Sequence, residues 1–151
     1  MKTVQVNPNF EYRKIPRHWK NLLADYLSGK KHWKYQLTKS YVIKLPGKFA
    51  AEIATTDFLT LVHGGLVIRR GYAWDGSSVV FDTKHCMRAS CVHDALYQLM
   101  RQGKVDYGLR DAADELYRDL CIEDGMWKWH AGIRYLGLKW LAGSHARPVK
   151  A

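Results

Sequence analysis

The hydrophobic period changes partway along this chain, and that change constrains the fold more than any other feature. Trp33, Tyr35, Leu37, Tyr41, Ile43 and Leu45 all fall on odd positions, with Lys34, Gln36, Thr38, Ser40 and Lys44 on the other face. A period of two predicts a half-buried strand or a pair of strands. Pro46-Gly47 turns the chain, and Asp57 to Val62 and Leu66 to Arg70 read as two more strands with His63-Gly64-Gly65 as a short hairpin connection. From about Lys84 the period is 3.6 instead. Helices are expected over about Lys84 to Gln102, Arg110 to Asp124 and Trp127 to Leu141, separated by the stop signals Gly103 and Gly125. Strands followed by helices, without alternation, predict an α+β fold, with a small antiparallel sheet followed by a three-helix C-terminal half.

Two further segments complete this outline. After Pro16, the spacing of Trp19, Leu22, Leu23, Tyr26 and Leu27 predicts an amphipathic helix that Ser28-Gly29 stops. Gly71 to Asp82, GYAWDGSSVVFD, has too many glycines for a helix and reads as a loop with some short strand character. The length, 151 residues of which 47% are hydrophobic, suits a single domain made of a basic N-terminal helix region (1–30), a β-rich part (33–82) and a helical part (84–143). Such a chain buries roughly 68 to 70% of its unfolded surface and needs no disulfide or metal to support a core. Three cysteines without a CxxC pair point to reduced thiols in a reducing compartment. No stretch approaches the roughly 18 apolar residues of a membrane span, and the N-terminus has no apolar export signal.

The net charge of +10 is uneven. Residues 1–50 carry eleven Lys and Arg against two acids, residues 51–125 eight against twelve, and residues 126–151 five against none. Basic ends therefore flank an acidic middle. Within the first, RKIPRHWK and KKHWK interleave aromatics with Arg13, Lys14, Arg17, Lys20, Lys30, Lys31 and Lys34, as phosphate-binding surfaces do. No helix-turn-helix, zinc finger or RNA-binding motif accompanies them. Nonspecific contact with nucleic acid, or with an acidic partner, is the expectation.

The stretch HCMRASCVHDALYQLMRQ is where chemistry concentrates. Met87, Cys91, Val92, Ala95, Leu96 and Leu99 form one broad apolar face, and the polar stripe through Ser90, Asp94, Tyr97, Gln98 and Arg101 is narrow, with His93 at its edge. Ionisable groups on a mostly buried helix need partners, because an unpaired buried carboxylate costs several kcal/mol or takes up a proton. On the next helix Asp114 lies at the border of the core face Ala113, Leu116, Tyr117, Leu120 and Cys121. An antiparallel hairpin brings it towards His93. There it would accept Nδ1–H, fix the imidazole tautomer and leave Nε2 to take a proton from water. The alternative is a buried His-Asp bridge that locks two helices. His85, Cys86, Cys91 and His93 lack zinc spacing on one helix. Trp127, Trp129 and Trp140, with Ile133 and Leu136, read as core.

From Gly71 to about Trp140 the chain resembles a family of small phage and prophage proteins of unassigned function, through GYAWDGSS, VHDALY (Val92 to Tyr97) and RDAAD (Arg110 to Asp114). That resemblance implies a phage origin, in the virion or the host cytoplasm, and names no reaction. His-Asp-x-x-Tyr followed by Asp on the antiparallel helix is also similar to the secreted calcium-dependent phospholipases and the phospholipase domain of parvovirus capsid proteins. This second resemblance implies His93 as general base, Asp94 as a calcium ligand, Tyr97 as a supporting hydroxyl and Asp114 as the carboxylate orienting His93, with Ca2+ acting as a Lewis acid. Those enzymes use backbone carbonyls of a Gly-rich loop, where this loop offers the Asp75 carboxylate. Two expectations follow: a metal-assisted hydrolase of esters such as phospholipids, or a non-catalytic accessory or virion protein that binds nucleic acid or an acidic partner through its basic surface.

Overall fold

The computed structural model describes residues 9–16, 33–76, 82–142 and 146–149. The expected amphipathic helix after Pro16, the basic residues Arg17, Lys20, Lys30 and Lys31, and residues 77–81 of the glycine-rich loop lie outside the described residues.

Short strands form two antiparallel sheets, and helices fill the C-terminal half, so the fold is α+β. One sheet has the order β1-β2-β7, from Tyr12–Lys14, Tyr35–Leu37 and Ala73–Trp74. The other has the order β3-β6-β5-β4, from Tyr41–Lys44, Gly65–Ile68, Leu59–Val62 and Ala54–Thr55. The period-two run is thus two strands that serve different sheets. The break at residues 38–40 is hydrogen-bonded elsewhere, with the Thr38 N–H donating to the Glu11 carbonyl at 3.1 Å. The hairpin loop has two residues rather than three, since Val62 pairs with Gly65. His63 (φ 48°) and Gly64 (φ 75°) are both left-handed, the backbone that matches the right-handed twist of the flanking strands. Strands β1, β4 and β7 are two or three residues long, too short for an alternation to register.

Trp74 ties the first sheet to the helices. Its buried ring has Phe10, Tyr12 and Tyr35 at centroid distances of 6.0, 5.8 and 5.7 Å. Its indole N–H donates to Ser90 Oγ at 3.0 Å on the first helix. That helix, α1, spans Met87–Arg101, and α2 (Arg110–Glu123) and α3 (Lys128–Leu141) follow. Gly103 (φ 65°) and Gly125 (φ 94°) end the first two as expected, with the backbone N–H groups of Lys104 and Met126 reaching back to the carbonyls of Leu99 and Cys121. The predicted apolar face of α1 is fully buried, from Met87 to Leu99. Leu96→Ala is expected to cost about 2 to 5 kcal/mol in denaturant unfolding, the range for removing buried methyl groups from a core that relaxes incompletely.

The assignment of Trp127, Trp129, Trp140, Ile133 and Leu136 to the core is overturned. They are 72, 63, 82, 56 and 53% exposed, respectively. The helix α3 packs chiefly on α2 and buries a single narrow stripe, Ala131, Arg134 and Leu138, so the aromatic stripe on its opposite side faces outward. Among the described residues, no helix is long and apolar enough to cross a membrane.

Candidate functional site

The site is built where α1 and α2 cross-brace. His93 and Tyr97 stand four residues apart on α1 and therefore share one face, turned towards α2. Both reach the same atom. His93 Nε2 lies 2.8 Å from Asp114 Oδ1, and the Tyr97 hydroxyl donates to that oxygen at 2.6 Å. Because a carboxylate oxygen accepts, Nε2 carries the imidazole proton. Asp114 is not at a border, as its place on the helix face implies, but fully buried, and His93 is only 5% exposed. The Tyr97 ring lies 4.0 Å from the imidazole between centroids, tilted by 37°, and Tyr117 approaches it near-perpendicular at 5.6 Å. The second oxygen of Asp114, Oδ2, is buried and makes no hydrogen bond among the described residues.

The expected roles of the two ring nitrogens are therefore reversed. Nε2 is the distal nitrogen and spans to the neighbouring helix, whereas Nδ1 stays beside its own helix, where Asp94 Oδ1 lies 3.9 Å away. The side chain of Asp94 retains 27% of its exposure, so Nδ1 is on the side of the cluster that leads towards solvent. Burial pulls the His93 pKa down. The hydrogen bond to Asp114 and the charges of Asp94 and Asp114 outweigh it and hold the imidazole above its ordinary 6.5. Burial, followed by the same carboxylate, pushes the Tyr97 phenol far above its usual value, so Tyr97 remains a donor across the physiological range.

The glycine-rich loop approaches α1 along one row. Trp74 holds Ser90, and the Tyr72 hydroxyl donates to Gln98 Oε1 at 3.2 Å, so Asp94, midway between Ser90 and Gln98, faces this strand. Asp75 follows directly and is half-buried. After burial itself, the charge of Asp94 raises the Tyr72 pKa, and that of Asp75 acts in the same direction. Calcium takes six to eight oxygens. Asp94 and Asp75 are the carboxylates expected to meet such an ion, and among the described residues no group of three His, Cys, Asp or Glu side chains is gathered for a metal.

Of the basic candidates, the described ones, Arg13, Lys14 and Lys34, lie close together where β1 pairs with β2. Arg13, on β1, is held by Gln36 Oε1 at 2.6 Å, the neighbouring Lys14 is exposed, and Lys34 lies 4.0 Å from Asp82 Oδ2. The same Asp82 oxygen accepts from the Tyr35 hydroxyl at 2.9 Å, which, after burial, helps push that phenol up to about 12. The three cysteines are buried and unpaired with one another, and burial raises the Cys121 thiol to about 12 and pushes the Cys91 thiol well above its ordinary value, which removes both as nucleophiles.

Sequence reasoning missed a second buried polar cluster. Arg88, 5% exposed, grips the buried Asp124 with Nε 3.0 Å from Oδ2 and Nη2 2.9 Å from Oδ1. Its guanidinium also donates to Glu123 Oε2 at 2.8 Å and to the Tyr41 hydroxyl at 3.2 Å. The signal was present, since Arg88 falls at the centre of the apolar face of α1 on a helical wheel, between Ala95 and Leu99. A search of this chain against known proteins finds no matching family model, no matching curated protein and no matching solved structure.

Proposed function

We propose that this protein is a hydrolase of carboxylic esters, phospholipids being the substrate class its His-Asp-Tyr arrangement most resembles, with His93 as general base. The observation that supports this is the double use of Asp114 Oδ1 by His93 Nε2–H and Tyr97 O–H. It fixes the imidazole in the tautomer whose Nδ1 lone pair is free, on the side of Asp94. Water between Nδ1 and an ester carbonyl gives its proton to Nδ1 as the new C–O bond forms, and the imidazolium returns that proton to the departing alkoxide as the ester C–O bond breaks. Asp114 stabilises the imidazolium between these steps, in keeping with the raised His93 pKa. No step is assigned to a cation.

The burial of His93 and Asp114 favours one second reading, an interhelical clasp without turnover. Hydrolysis of a short-chain acyl ester and of dispersed phospholipid, followed by released acid with and without calcium, separates the two. Wild type turns over at least one of them, and His93→Gln lowers that rate by about two to four orders of magnitude, while circular dichroism is retained. A wild-type rate in His93→Gln, or inert wild type on every ester, leaves the clasp.

A further inference from the structure

The helix α3 is amphipathic in the reverse sense from a helix of a closed globule. The side it turns inward carries Arg134, 1% exposed, between Ala131 and Leu138. The side it turns outward carries Trp129, Ile133, Leu136 and Trp140, at spacings of four, three and four residues, all more than half exposed, with the ring of Trp127, 6.4 Å from that of Trp129, extending the stripe at its start. Exposed large side chains scattered singly are ordinary, but a contiguous apolar stripe three turns long marks a binding surface. One margin is cationic. Lys128 and Lys139 flank the stripe on the same side of the helix, Arg147 is exposed just beyond, and residues 126–151 contain no Asp or Glu.

From this pairing we infer that the outer face of α3 docks on an anionic lipid surface. Tryptophan and leucine on one face of a helix, with lysines along its border, are what an interfacial helix requires: indole rings settle at headgroup depth while ammonium groups stay in water beside lipid phosphate. Charge argues against the other occupants. A second copy seated face to face would add the same positive charge to the contact, with no acid in either segment to offset it. Residues 17–32 of this chain, with four Lys and Arg against one Asp, carry the same sign. Anionic phosphate supplies the complement that both lack. The inference concerns binding, not turnover, and is independent of the hydrolysis reading.

Sedimentation with phosphatidylcholine vesicles, and with vesicles in which about a third of the lipid is phosphatidylglycerol, tests this together with tryptophan emission. Wild type is expected to co-sediment with the anionic vesicles and to show a blue shift, with binding weakened by added salt. Trp129→Ala/Trp140→Ala is expected to weaken binding by about tenfold or more, and Lys128→Glu/Lys139→Glu to weaken it on anionic vesicles specifically. Both pairs are exposed, so the fold is retained. No binding of wild type to anionic vesicles overturns the proposal, as does binding that the tryptophan pair leaves unchanged, which would assign it to the basic N-terminal half. A wild-type dimer in light scattering that Trp140→Glu converts to monomer also overturns it, in favour of a second copy.

Discussion

Replacing Arg88 by alanine is expected to destabilise the protein by about 3 to 5 kcal/mol, because it strands a buried carboxylate rather than merely removing a bond. Asp124 is 1% exposed and has the guanidinium on both its oxygens. Burial already raises its pKa against the pull of Arg88, so without the arginine its ionised form has little to hold it. For a chain of this length, each kcal/mol moves the midpoint by about 2 to 4 °C, so a loss of about 6 to 20 °C is expected. Arg88→Lys rescues only part, since an ammonium cannot bridge two carboxylate oxygens and the Tyr41 hydroxyl together. The double replacement Arg88→Met/Asp124→Leu recovers most of the stability, because removing both partners leaves no orphaned charge. A change within about 0.5 kcal/mol for Arg88→Ala, the range of ordinary surface substitutions, would show that the pair is hydrated and holds nothing.

Asp114→Ala is expected to be of similar size, about 3 to 5 kcal/mol, because it leaves the His93 imidazole and the Tyr97 hydroxyl buried with no acceptor. His93 gives the same cluster a pH signature. Its folded pKa is raised above the unfolded value near 6.5, so the protonated form is bound more tightly by the native state. The stabilisation is full below about pH 6.5 and fades as pH climbs through the folded pKa. Asp94 and Asp114 supply the attraction, and Tyr97 and Tyr117 are the other titratable groups against the ring. Denaturant midpoints from pH 5 to 9 are expected to show a gap between wild type and His93→Gln that narrows with rising pH. A gap that stays constant would mean a neutral hydrogen bond. Under the proposed hydrolytic reading turnover runs oppositely, since a base must be unprotonated, so a hydrolytic rate is expected to rise across the same interval.

Periodicity located what was long enough to express it. The three helices fall within about three residues of their expected bounds because each repeats its apolar face several times. The sheet was legible where strands run over four residues, as in β3, β5 and β6, legible only as short strand character within a loop for β7, and illegible for β1 and β4. The His93, Tyr97 and Asp114 grouping was readable because ionisable groups on a buried helix require partners, but which nitrogen faces Asp114 was not, since that depends on how far apart the helices pack. Arg88 was passed over although it stands in the middle of an apolar face. The stripe from Trp129 to Trp140 failed in the opposite direction: composition reports that a face is apolar, and only packing decides whether anything covers it.

The two polar clusters also determine how α1 and α2 can slide along each other. Arg88 meets Asp124 near one end of the hairpin, and His93 and Tyr97 meet Asp114 nearer the other, so the helices run antiparallel. Arg88 and Tyr97 are about 14 Å apart along α1 and Asp114 and Asp124 about 15 Å apart along α2, at 1.5 Å per residue. The two intervals match. Leucine and alanine faces tolerate displacement by a helical turn with modest loss, since one methyl group replaces another. A slip of about 5.4 Å here would break both clusters at once and leave three charges and a phenol buried without partners. The helical half is therefore indexed like a key with two teeth: its buried polar groups reject every alignment but one.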